Sequence, residues 1–186
     1  MDSKIIHIAS VTSKVLLYLS YLAMALFTFG LIYWLLDPAA LADIKIRGMG
    51  DFTTASNQIA IGNGPEASGV LTIGELNRYM VFWLYFRVIF YLGIFALIIQ
   101  KVQTILNSIE RLQTFIMGNI RSLKDMAKLG VVLFLFSSFH FFYANGEANV
   151  SLNFAIGPLL FTIACLVLAE VFNEGRKLLE EKNLIV

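Results

Sequence analysis

Cysteine occurs once in 186 residues, at Cys165, and histidine twice, at His7 and His140. One thiol excludes an internal disulfide, and one cysteine with two scattered histidines makes no metal-ligand set. Charge is also scarce. Only 15% of the chain is Asp, Glu, Lys or Arg, against about 25% in an ordinary soluble domain. The formal net charge is +1, which by itself says nothing about nucleic acid; no direct nucleic-acid contact is expected. The catalytic inventories are empty as well. The chain has no glycine-rich phosphate loop, no His-Glu-x-x-His, no Asp-rich diphosphate motif, and no Ser or Cys with a base at a recognisable spacing. No catalytic, cofactor-binding or metal residue is expected, and the chain reads as non-enzymatic.

Apolar side chains are abundant: 58% of the chain is hydrophobic, and the surplus falls in four blocks. A soluble fold of this size cannot hide that much apolar surface, whereas lipid accommodates it. Helices crossing the hydrocarbon core need about 20 apolar residues. The blocks therefore predict spans over residues 15–36, 79–99, 129–143 and 152–169, each helical because lipid offers the backbone no hydrogen-bond partner. The first block, Val15–Leu36, is 22 residues without a charge and ends in Tyr33-Trp34-Leu35-Leu36-Asp37-Pro38. It is longer than the apolar core of a signal peptide and lacks a small-residue cleavage site, so it reads as a retained helix. Residues 1–186 are expected to form a single all-α integral membrane domain, a four-transmembrane-helix bundle with the lipid bilayer as its surroundings.

Orientation follows from Lys and Arg. Ten cations lie before the first span, between the second and third, and after the fourth: Lys4, Lys14, Lys101, Arg111, Arg121, Lys124, Lys128, Arg176, Lys177 and Lys182. The opposite side carries Lys45, Arg47 and the boundary residue Arg78 against Asp37, Asp43, Asp51, Glu66 and Glu75. Both termini are therefore expected in the cytoplasm. Tyr33, Trp34, Tyr79, Trp83 and Tyr143 cluster at the outer ends, as interface aromatics do.

The outer loop over residues 37–78 carries strand-like segments at Ile44–Arg47, Gln58–Ile61 and Gly69–Ile73, with a turn signal at Gly62-Asn63-Gly64-Pro65. The second outer loop offers Asn149–Asn153. Together they predict a small extracytoplasmic β-rich cap. On the inner side, residues 100–128 form a link with an amphipathic stripe of Val102, Ile105, Ile109, Leu112, Ile116, Ile120, Leu123 and Ala127, and Gly118-Asn119 is read as a break within it. Residues 170–186 read as a helical tail leaving the membrane.

Ionisable residues inside a membrane are the default functional candidates. Arg87 lies eight residues into the second span, about 12 Å at the helical rise. Either it snorkels outward or it lines an outer crevice with His140 and Glu147. The inner side carries the stronger patterning. The link holds five cations against Glu110 and Asp125, and Glu170 and Glu174 stand at the mouth of the fourth span within expected reach of Arg121, Lys124 or Lys128. Either these charges solvate helix ends and meet lipid headgroups, or they belong to a docking surface for a soluble partner. The tail stripe of Phe172, Leu178, Leu179 and Leu184 is expected to pack on the link.

The segment Phe115-x-x-x-Asn119-Ile120-x-x-Leu123, and the tail Glu170-Val171-Phe172-x-x-Gly175-x-x-Leu178-x-x-Glu181-x-x-Leu184-x-Val186, are similar to an uncharacterised bacterial membrane family, domain of unknown function 2975. The resemblance covers essentially the whole chain. Ile185 and Asn183 depart from it, standing where the family favours Thr and an acid. The resemblance implies a multi-pass protein of the bacterial inner membrane. It associates that protein with a small helix-turn-helix transcription regulator as a cytoplasmic partner, and it adds Phe115, Asn119, Gly175, Leu178 and Glu181 to the candidate docking surface of Arg121, Lys124, Glu170 and Glu174. The competing reading is a small-solute transporter or a channel formed by a homo-oligomer.

Overall fold

A computed structural model describes residues 3–46, 58–61, 71–111, 115–144 and 147–184. Four α-helices dominate it: α1 (Ser3–Leu36), α2 (Arg78–Glu110), α3 (Met117–Ser138) and α4 (Ile156–Leu184). Their ends follow local chemistry. The α1 helix stops at Asp37, whose Oδ1 accepts from the Ala39 amide at 3.2 Å and caps a short 3-10 turn over Pro38–Leu41. Pro38 takes the first position of that turn, and Pro158 lies in the first turn of α4. Both are sites where the missing N–H costs no helical bond.

Among the described residues three helices are long and apolar enough to cross a membrane: Ile6–Leu36, Arg78–Glu110 and Ile156–Lys182. The expectation of four spans is thereby corrected. The α3 helix does not meet the same standard, because it carries Arg121, Lys124, Asp125 and Lys128. The block expected to be a span over residues 129–143 is divided. Its helical part ends at Ser138, and Phe139–Ala144 is extended. The fourth block is shifted too, since α4 begins at Ile156 rather than at residue 152.

The β-rich cap is also corrected: the architecture is helical, and among the described residues strand pairing is confined to two separate short ladders. In one, β1 (Lys45–Ile46) pairs antiparallel with β3 (Leu71–Thr72). In the other, β5 (Glu147–Asn153) lies between β2 (Gln58–Ile61) and β4 (Phe139–Ala144), with Ile59 opposite Leu152 and His140 opposite Ser151. Arg47, Asp51, the Gly62–Pro65 turn signal, Glu66, Gly69-Val70, Leu112 and Ile185 lie outside the described residues, as do the side chains of His140, Glu147, Asn183 and Leu184.

The chain divides into two compact units. The first comprises Met1–Tyr21, Gly93–Leu133 and Ile156–Val186. Its core is Met126, Ala127 and Cys165, with Ile98, Val102, Ile105 and Phe161 packed on it. The α3 and α4 helices run antiparallel here and approach closely at Gly130. A methyl group there would come within 3.1 Å of Phe161 Cδ1 and would collide with the Thr162 hydroxyl. The second unit comprises Leu22–Leu92 and Phe134–Ala155. It is organised around Phe136, whose ring centroid is 4.3 Å from that of Phe90, 5.7 Å from Tyr91, 6.2 Å from Trp83 and 6.3 Å from Phe86. Trp34 packs edge-on to Phe82, and the Thr28 and Tyr85 hydroxyls meet at 3.0 Å.

Candidate functional site

The segment entering α3 joins three helices of the first unit. Phe115 precedes the helix, and its ring meets Phe172 of α4 edge-to-face at 5.6 Å. It can approach α4 this closely because residue 175 is glycine. A Cβ there would fall 2.6 Å from Phe115 Cε1, closer than any real side chain approaches. Four residues after Phe115, Asn119 is completely buried, at 0% exposure. Its Nδ2 donates to the Ser108 hydroxyl near the end of α2 at 2.9 Å. Ile120 and Leu123 are buried beside it. Phe115, before the helix, thus meets α4, while Asn119, in the first turn of α3, meets α2. The expected break at Gly118-Asn119 is corrected accordingly: both residues lie in the first turn of α3, and α2 ends earlier, at Glu110.

Nearly two helical turns further on, Lys101 of α2 donates to Asp125 Oδ2 at 2.9 Å, and Lys128 approaches Asp125 Oδ1 at 3.5 Å. The hydrogen bond from Lys101 holds the Asp125 carboxyl below the ordinary carboxylate range. Burial opposes it as the next-largest effect, and the charges of Lys101 and Lys128 add smaller lowering contributions.

The candidate docking residues now separate. Asn119 is enclosed, and Phe115 and Gly175 cover each other, so these three build the junction rather than its outer surface. Arg121, Lys124, Glu170, Glu174, Leu178 and Glu181 are exposed. The expected pairing of Glu170 or Glu174 with Arg121, Lys124 or Lys128 is not among the ion pairs of the described residues. Instead, Glu174 takes Lys177 at 2.7 Å, and Glu170 accepts from Asn173 at 3.4 Å. Arg176 pairs with Glu180 at 3.6 Å. The tail does meet the segment before α3, but through Phe172 and Gly175. Leu178 and Leu179 remain 66% and 48% exposed.

In the second unit, Arg87 is 4% exposed, so it is enclosed by protein rather than extended toward an interface. Its guanidinium stands over the Tyr91 ring at 5.8 Å, within reach of a cation–π contact. His140 and Glu147 occupy strand positions in β4 and β5, and their side chains lie outside the described residues, so the crevice expected of the three stays an expectation. Sequence reasoning missed Phe136 and the Lys101–Asp125 bond. Phe136 gave no signal within a phenylalanine-rich run, whereas Asp125 was the one acid among the cations of residues 111–128.

Among the described residues no group of three or more His, Cys, Asp or Glu is placed to hold a metal ion. No protein-family model matches the chain, and no curated protein or solved structure matches it either. The class reached is therefore a membrane protein with three membrane-length apolar helices.

Proposed function

We propose that the chain is a non-enzymatic regulator or sensor of a bacterial inner membrane that docks a cytoplasmic protein on the end of α4. The observation that carries this reading is the exposure of Leu178 and Leu179 beyond the Phe115–Gly175 contact, between the charged pairs Arg176-Lys177 and Glu180-Glu181. Two large apolar side chains framed by Glu174, Lys177, Glu180 and Glu181 form the apolar centre and polar rim of a helix-recognition surface. The asymmetry of Lys and Arg supports a cytoplasmic location for this end. The resemblance to the uncharacterised bacterial family supports a small helix-turn-helix regulator as the partner, held away from DNA when bound.

A photo-crosslinking residue at position 178, in the full chain expressed in its own membrane, tests the proposal. The expected result is one crosslinked cytoplasmic protein with a DNA-binding domain, lost on Glu181→Lys. Absence of such a product, together with solute flux through vesicles containing the purified chain, would favour the transporter or channel reading instead.

A further inference from the structure

We propose that Arg121, Lys124 and Lys128 on α3 form a binding row for the headgroups of anionic phospholipids. This inference rests on the membrane reading of the chain and is independent of the partner docked at Leu178. The three residues stand at i, i+3 and i+7, which puts them on one face of the helix. All three are exposed, and the Lys128 side chain is 79% accessible. The opposite face is occupied: Asn119, Ile120, Ser122, Leu123, Met126 and Ala127 are buried, Asn119 beside Ser108 of α2 and Met126 and Ala127 against Cys165 of α4.

The level of the row along its neighbours identifies the ligand. Asp125, in the middle of the row, bonds Lys101, the first charged residue after the uncharged stretch Val88–Gln100 of α2. Met126 and Ala127 pack on Cys165 of α4, whose uncharged stretch ends at Glu170, five residues further on. Five residues are about 7.5 Å of helix. The row therefore stands where both neighbouring helices change from apolar to charged, the depth at which lipid headgroups lie. Lys128 is the deepest of the three, and its stem is long enough to carry the ammonium to the same layer. Asp125 is the only acid within the row; Lys101 takes its Oδ2 at 2.9 Å and Lys128 approaches its Oδ1 at 3.5 Å. One carboxylate does not balance Lys101 and the three cations of the row, and phosphodiester headgroups supply the remaining negative charge.

The test uses the full chain in detergent, titrated with phosphatidylglycerol or phosphatidylcholine, with retained lipid counted by native mass spectrometry. Retention of phosphatidylglycerol over phosphatidylcholine is expected. Each basic residue at a membrane surface contributes about fivefold in affinity, so R121Q/K124Q/K128Q should weaken phosphatidylglycerol by about a hundredfold. K4Q/K14Q/K182Q removes the same charge elsewhere and should change it by no more than about threefold. If the first triple variant melts lower than the parent, Lys124→Gln alone, with its expected loss of about fivefold, replaces it. Equal retention of the two lipids, unchanged retention by the variants of the row, or an equal loss in the control triple each overturns the proposal. Crosslinking at position 178 is scored separately, so a lost lipid site and a lost partner are distinguishable.

Discussion

The α1 and α3 helices reverse the usual relation between apolarity and burial. The α1 helix is 34 residues long and contains an 18-residue membrane-length window of which only 6% is buried. Its buried residues are Ser10, Ser13, Ser20 and Trp34, while Leu19, Leu22, Leu26 and Phe29 are exposed. The α3 helix is 22 residues, mixes cations with apolar residues, and buries Asn119, Ile120, Ser122, Leu123, Met126, Ala127 and Ser138. In water the apolar helix would be the core. In lipid, leucine gains nothing by leaving one apolar medium for another, so close packing and hydrogen bonds decide which helix is enclosed. Small hydroxyl residues turn α1 toward the protein and leave its large side chains to the bilayer. The α3 helix needs protein partners on its inner face because its outer face is charged.

The contrast breaks most clearly by truncation. Met126→Ala, in the core of the first unit, is expected to cost about 2–5 kcal/mol, whereas Leu19→Ala on the exposed face of α1 should cost less than about 0.5 kcal/mol. Both are read from thermal or denaturant unfolding of the purified chain, and equal losses would erase the distinction. Next in size is Gly175→Val, which drives a side chain into the Phe115 ring and should destabilise by about 1–3 kcal/mol. Phe115→Ala should relieve that clash, so the double variant is expected to lose less than the sum of the singles. Asn119→Ala removes the donor to Ser108 in a fully buried position, with an expected cost of about 1–3 kcal/mol. Asn119→Asp should be worse, because it places a charge where no water reaches.

The smallest expected effect concerns Asp125. Its carboxyl is depressed in the folded chain by the Lys101 hydrogen bond. A depressed acid stabilises the fold above its unfolded value, about 3.9, and that contribution disappears as pH falls through the lower folded value. The difference in melting temperature between the parent and Asp125→Asn should therefore be constant from neutral pH to about 4 and close below it. A difference that widens on acidification would contradict the assignment.

The apolar runs made α1, α2 and α4 legible as membrane-length helices, and Arg87 stood out as the lone charge within one of them. The α3 helix was not legible as it is. Hydropathy placed a span at residues 129–143, but the helix starts at Met117 because its buried stripe continues through the charged segment. It stops at Ser138 because Phe139–Ala144 pairs with β5, and a short aromatic run fits either a strand or a buried helix by pattern alone. Phe115, Asn119 and Gly175 were singled out from the resemblance, but their roles needed three dimensions. A glycine in a helical tail gives no sign that an aromatic ring from another segment lies on it, and an asparagine at a helix start is usually a cap. Leu178 and Leu179 were expected to be covered, since full burial of a leucine is worth about 1.5–3 kcal/mol. Instead Phe172 makes the tail's contact, and the leucines stay exposed.

The most direct test of the contrast between the helices is the oxygen accessibility of a nitroxide label in the full chain reconstituted into bilayers. The label is placed at residue 26 on α1 or at residue 126 on α3, in a Cys165→Ser background. Leu26 is 61% exposed and Met126 is 5% exposed. The expected result is strong relaxation by oxygen at position 26, with none of the collision with a water-soluble nickel chelate that an aqueous site would show, and weak relaxation by both agents at position 126. Nickel accessibility at position 26, or oxygen accessibility at 126 equal to that at 26, would contradict a lipid-facing α1 and a protein-enclosed α3.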